Sequence, residues 1–149
     1  TMNLNDEIII SGQLDTVFVS LIDPEVLKRC IPGCEELEKT SDTDFTAKVV
    51  LKIGPVKAKF SGTVSLDVSR APHHLTLSGA GEGGLAGFAK GGADVKLVDQ
   101  GNETLLQYSA TAETGGKIAQ LGARLIESTA KKLSKAFFNN FEKIMIGEE

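Results

Sequence analysis

The sequence predicts an α+β fold, in which a curved antiparallel sheet of six to seven strands wraps around one long C-terminal helix and two short helices follow the first strand. Three observations carry that prediction. Side chains alternate apolar and polar from Thr46 to Ser69 and again from Ala93 to Ala112, as in a sheet with one buried face and one wet face. The period changes to 3.6 after Gly115-Gly116 and holds as far as Ile144. No helical period separates the strands between these points, so they form a meander and not a set of parallel strands joined by crossover helices.

Each element follows from local chemistry. Glu7 to Gly12 reads as the first strand, with Ile8, Ile9 and Ile10 supplying β-branched bulk. Phe18, Leu21 and Ile22 then fall at i, i+3, i+4 spacing, which predicts a helix. A second helix opens at Asp23-Pro24-Glu25: Asp accepts orphan N–H bonds, Pro at the first position has no donor to lose, and Glu suits the positive helix end. Pro32-Gly33 ends it. From Cys34 the period is two. Ala47, Val49, Leu51 and Ile53 share a face, Gly54-Pro55 turns the chain, and Val56, Ala58, Phe60, Gly62, Val64, Leu66 and Val68 share the next face. Leu75 and Leu77 begin another strand after Ala71-Pro72-His73-His74, and a glycine-dense stretch runs from Gly79 to Gly92. Ala93, Val95 and Leu97 alternate, Gln100-Gly101-Asn102 turns, and Leu106, Tyr108, Ala110 and Ala112 complete the sheet. The last stripe, Ile118, Gly122, Leu125, Thr129, Leu133, Phe137, Phe141 and Ile144, predicts a helix of roughly 30 residues, long beside the usual 11–12. The glycines are expected to let the sheet bend into a half-barrel.

Composition bounds the function. The chain has 149 residues, 41% hydrophobic and 24% charged, which suits one globular domain over 1–149 and argues against disorder. No apolar run approaches the ~20 residues that span a bilayer. The N-terminal residues lack the basic start and apolar stretch of a secretory signal, so the cytoplasm is the expected compartment. A net charge of −4, a pI near 5.3, no Trp and one Tyr argue against nucleic acid as a partner, which needs clustered cations or stacking aromatics. Cys30 and Cys34 lack a second ligand pair for zinc and the spacing of a redox motif, so no metal is expected and each reads as a structural thiol.

Small residues suggest a hollow. Gly115, Gly116, Ala119, Gly122 and Ala123 open the terminal helical stripe, while Ala58, Gly62, Ala93, Ala110 and Ala112 lie on buried sheet faces. A packed core interleaves large with small, and a bent sheet resists collapsing where small meets small. Either an apolar cavity results, suited to a hydrophobic ligand, or Gly122 merely lets the helix approach a strand closely. Residues 116–146 carry six basic side chains against Glu127 and Glu142, in a chain that is acidic overall. Lys117, Arg124 and Lys131 recur every seven residues, and with Lys135 they read either as a dock for anionic lipid or an acidic partner, or as a solvated face.

Other motifs fail on context. Gly79-Ala80-Gly81-Glu82-Gly83-Gly84 matches the dinucleotide-binding pattern, but strand alternation follows it where that site needs a helix. Gly87-Phe88-Ala89-Lys90 lacks the Ser or Thr of a phosphate-binding loop. His73 and His74 are adjacent, and extended neighbours point apart, so they read as turn residues and not as ligands. Glu35, Glu36 and Glu82 have no evident partner for acid–base work, and no catalytic residues are assigned.

Three segments together resemble the CoxG family of carbon monoxide dehydrogenase subunits, within the START-like helix-grip (SRPBCC) superfamily. They are Ile31-Pro32-Gly33-Cys34, Gly54-Pro55-Val56-Lys57-Ala58-Lys59-Phe60-Ser61-Gly62, and Gly115 through Ile126, and the similarity runs in order along essentially the whole chain. The resemblance implies a helix-grip fold with a hydrophobic cavity between sheet and terminal helix. It also implies association with a molybdenum hydroxylase of the carbon monoxide dehydrogenase type at the inner membrane face, and carriage of a quinone or lipid by some members. Longer relatives continue to a C-terminal membrane-attachment segment. For a sequence ending at Ile146-Gly147-Glu148-Glu149, the expectation is truncation or a peripheral membrane contact. The leading expectation is thus a non-enzymatic adaptor or carrier of a hydrophobic small molecule with no covalent cofactor. Its expected lining is Phe18, Leu27, Phe60, Val64, Leu77, Phe88, Tyr108, Ile118, Gly122 and Leu125, with Tyr108 donating to a ligand carbonyl. The rivals are an aromatase/cyclase-like enzyme of the same superfamily and an assembly factor with a filled core.

Overall fold

The computed structural model describes residues 2–147. Seven strands form one antiparallel sheet: β1 (Met2–Ser11), β2 (Cys34–Lys39), β3 (Asp44–Ile53), β4 (Val56–Asp67), β5 (His74–Glu82), β6 (Phe88–Asp99) and β7 (Glu103–Gly115). Their spatial order is β1-β7-β6-β5-β4-β3-β2. Strands β2 to β7 are each paired with their sequence neighbours as hairpins, and β1 closes against β7. Two helices, α1 (Leu14–Leu21) and α2 (Pro24–Cys30), link β1 to β2, and α3 (Ala123–Met145) ends the fold. The expected α+β architecture is therefore observed, with a START-like arrangement of curved sheet and terminal helix.

The boundaries differ from expectation at two places. Strand β1 begins at Met2, because Leu4 is buried and the ladder to β7 runs from Met2↔Ala112 to Ser11↔Glu103. Its polar residues Asn3, Asn5 and Asp6 hid that alternation. The terminal helix begins at Ala123 and not near Gly116. Residues Gly116–Leu121 form a 3₁₀ segment, and Gly122 breaks it with φ 98° and ψ 151° before α3 starts. A positive φ is a conformation that glycine adopts without cost and that cannot continue a helix.

The core divides into two clusters. The larger gathers Val17, Phe18 and Leu21 of α1, Cys30 of α2, sheet residues such as Leu75, Leu97 and Leu106, and Phe141 of α3. The smaller contains Ile53, Phe60, Ala86 and Ile118, with Leu51, Leu121, Leu125 and Ile126 packed on it. Polar contacts pin only the C-terminal half of α3. Both Glu142 carboxylate oxygens accept bonds from Ser11, at 2.8 Å from its N–H and 2.7 Å from its hydroxyl, and Asn140 Nδ2 donates to the Cys30 carbonyl at 3.2 Å. Thr104, fully buried, donates to the Gly12 carbonyl at 2.9 Å and fixes the turn out of β1. The middle of α3 then passes over the space between the two clusters. No helix among the described residues is long and apolar enough to cross a membrane.

Phe141 is the largest fully buried side chain and ties α3 to the larger cluster. Replacing it with Ala is expected to cost about 3–5 kcal/mol, read as a lower urea midpoint with an unchanged slope.

Candidate functional site

Strand register builds the site. Antiparallel pairing sets Gly62 opposite Gly81, Gly81 opposite Ala89, and Ala89 opposite Thr114, so one inward-facing row across four strands carries no large side chain. The next row runs Val64, Gly79, Gly91, Ala112, and the one after contains Ala93 and Ala110. Three adjacent rows of Gly and Ala thus make a shallow floor. Two of the glycines are sterically required: a Cβ on Gly62 would sit 2.6 Å from the Ala80 carbonyl oxygen, and one on Gly91 would collide with that of Thr111. That crowding reflects a strong inward bend of the sheet, which keeps the floor away from α3.

Helix α3 roofs this floor with Ile126, Thr129, Ala130, Leu133, Ser134, Phe137 and Phe138, spaced as one helical face. Between floor and roof lies a cavity of about 620 Å³, within the range of small-molecule sites. Its sides are Ala47, Val49 and Leu51 of β3, Ile31-Pro32 after α2, and Met2. Phe60, Ile118 and Ile126 close one end. An aromatic group closes the other: Tyr108 stacks on Phe138 with ring centroids 5.3 Å apart, and Phe138 meets Phe137 edge-on at 5.1 Å.

The wall is overwhelmingly apolar. Strand alternation points the side chains of Thr63 and Lys90 to the outer face, where Lys90 lies 3.7 Å from Glu113. Among the described residues that leaves Tyr108 as the one titratable side chain facing the cavity. Burial raises its pKa above the ordinary phenol value, a hydrogen bond with Ser134 works against that rise, and the Asp6 charge adds to it. The phenol therefore stays protonated and able to donate throughout the neutral range.

Of the ten expected lining residues, Phe60, Val64, Leu77, Tyr108 and Ile118 lie on the wall. The other five are placed elsewhere. Phe18 and Leu27 belong to the larger core cluster, because α1 and α2 cover that end of the sheet. Phe88 has outward parity in β6 and lies against Gly115. Leu125 packs beside Gly54 in the smaller cluster. Gly122 is exposed, with open space where a Cβ would stand, so it neither lines the cavity nor allows a close helix–strand approach. The α3 residues Thr129, Ala130, Ser134 and Phe138 were not expected on the wall. Their signal was available in the glycine at 122, which moves the helix start and hence the roof toward the C-terminus.

The expected cationic stripe also changes. Lys117 sits on the 3₁₀ segment, so it does not stack with Arg124 and Lys131 along one helical face. Lys131 pairs with Glu127 at 3.1 Å, and Lys135 is exposed further along α3. Cys30 is buried and its thiol is pushed up to about 11, chiefly by desolvation. Cys34 is raised for the same leading reason. Iodoacetamide at pH 7.5 is expected to leave Cys30 unmodified in the folded protein and to label it only in denaturant, as read by intact mass. Among the described residues no three His, Cys, Asp or Glu side chains gather as a metal site.

The model of one protein family, the carbon monoxide dehydrogenase G-type subunit (CoxG), matches residues 7–146. No curated protein matches the sequence. Among solved structures, a conserved protein from Geobacillus kaustophilus is 32% identical, with a TM-score of 0.90 over 97% of this chain and 95% of that one. A START superfamily protein from Mycobacterium smegmatis superposes with a TM-score of 0.74 at 13% identity, covering 96% of each chain. The Zhui aromatase/cyclase from Streptomyces sp. R1128 gives 0.67 at 11% identity over 99% of each. At such identities the last two establish the shared fold alone.

Proposed function

The chain belongs to the CoxG family of carbon monoxide dehydrogenase subunits, and from that premise we propose that it is a carrier of a quinone-like or other lipidic molecule. It serves a molybdenum hydroxylase of the carbon monoxide dehydrogenase type at the cytoplasmic membrane. The observation that carries the proposal is the apolar cavity of about 620 Å³ between the glycine- and alanine-rich floor and α3. A ligand there exchanges water for aliphatic and aromatic wall, a gain of roughly 25 cal/mol for each Å² of apolar surface covered. Tyr108 and Ser134 add one polar point at the aromatic end, which suits a carbonyl on an otherwise greasy molecule. The family name supports the link to the enzyme.

The cyclase reading is less well supported. Proton transfer needs a group that titrates near the working pH. Tyr108 is held above the ordinary phenol range, and the Lys90 ammonium lies on the outer face beside Glu113.

Native mass spectrometry of the chain incubated with a short-chain prenylquinone is expected to show one bound molecule per chain. Failure to retain any quinone or fatty acid overturns the carrier. The Ala110→Phe variant places a ring over the floor and is expected to lower affinity at least ten-fold while leaving the fold intact. Circular dichroism checks that second point. Tyr108→Phe is expected to weaken a quinone about 3- to 10-fold, the worth of one hydrogen bond, and to leave a plain hydrocarbon probe unaffected. Because the phenol pKa is raised, quinone affinity is expected to stay flat from pH 6 to 9 in equilibrium dialysis.

A further inference from the structure

One pole of the molecule has the surface chemistry of a lipid-docking site. The 3₁₀ turn Gly84–Ala86 joins β5 to β6, and at its tip Leu85 is 97% exposed, well beyond Val19 at 61%, the next most exposed large apolar residue. Its neighbour Ala86 is buried among Ile53, Phe60 and Ile118, so the turn is anchored on the cluster that closes this end of the cavity. Phe88, 42% exposed, flanks the turn. An anchored turn that holds a leucine out in water keeps apolar surface hydrated at a cost that an apolar partner removes.

Cations surround this tip. Pairing in the β3–β4 hairpin sets Lys52 directly opposite Lys57, a like-charge pair that destabilises a bare hairpin. Lys117 lies on the segment packed against the turn, and Arg124 opens α3, where its neighbour Leu125 rests against the hairpin glycine Gly54. Among the described residues none of these four has a carboxylate within salt-bridge distance. Glu82 is the acidic residue beside the turn, in a chain whose net charge is −4. We infer that this pole docks on an anionic lipid bilayer, with Leu85 entering the acyl boundary and Lys52, Lys57, Lys117 and Arg124 meeting the head groups. Neither component suffices alone: one leucine gives little burial, and lysines alone bind loosely. Together they form the two-part signal that holds a protein at a membrane. The docked pole is the end of the cavity closed by Phe60 and Ile118, which faces the cavity toward the phase that holds its cargo. This inference rests on the carrier reading for its purpose and deepens it by naming the loading surface.

Sedimentation with vesicles of phosphatidylcholine containing 30% phosphatidylglycerol tests the docking, with pure phosphatidylcholine as the neutral arm. The expected result is binding to the anionic vesicles that weakens steeply with added salt. Leu85→Ser is expected to lower it about ten-fold, and Lys57→Ala about five-fold, the share of one lysine near an anionic surface. Lys135→Ala, on α3 away from the pole, is expected to change it less than two-fold. Absence of vesicle binding overturns the inference and leaves an acidic protein as the partner of these cations. Equal loss from Lys135→Ala overturns it as well. Quinone binding to the same variants, measured without vesicles, reports on the carrier reading by itself, so the two can fail separately. Leu85 contacts solvent almost entirely, and its replacement leaves the fold as it is.

Discussion

The structure depends on strand register. Pairing sets Gly62, Gly81 and Ala89 in one row and Gly79, Gly91 and Ala112 in the next, so small residues that are scattered in sequence become contiguous in space. A shift of one residue in any of these hairpins would turn the glycines outward and bring large or charged side chains inward. The same glycines allow the bend that holds the sheet away from the helix. Curvature and emptiness therefore have one origin, and the rest of the fold is arranged around it.

The two ends of α3 have different tasks. Its C-terminal half is held by Glu142 on Ser11, by Asn140 on the Cys30 carbonyl, and by burial of Phe141. Its first turns rest on the smaller cluster and on the 3₁₀ segment that precedes Gly122. Between these supports the helix presents Thr129, Ala130 and Ser134 to the cavity, residues too short to reach the floor. The helix spans the gap as a beam set on two bearings, and the aromatic group of Tyr108, Phe137 and Phe138 marks where the gap ends.

Much of this was legible in the residues. The alternation of β4 and the glycine count pointed to a bent, one-sided sheet, and the small buried positions Gly62, Ala93, Ala110 and Ala112 pointed to its hollow. The location of the hollow along the helix was harder to read. Periodicity alone carried the terminal stripe through Gly122, because Ile118 and Leu125 fall in phase with the later residues even though one lies on a 3₁₀ turn. The lining by α3 was displaced toward the N-terminus as a result. Phe18 and Leu27 were apolar and inward-facing as expected, but alternation does not say which end of a sheet a helix pair will cover. Phe88 illustrates a different limit: the turn before it, with Gly87 at φ 109°, sets the parity of the strand that follows, and that angle is a property of the folded loop.

The divided core has a thermodynamic consequence. Two hydrophobic clusters flank a volume that the chain's own side chains leave unfilled, so the free protein forgoes the dispersion contacts that continuous packing would supply. A guest of matching shape would act as an internal brace joining the two halves. Occupancy and melting temperature would then rise together, by an amount set by RT ln(1 + [L]/Kd).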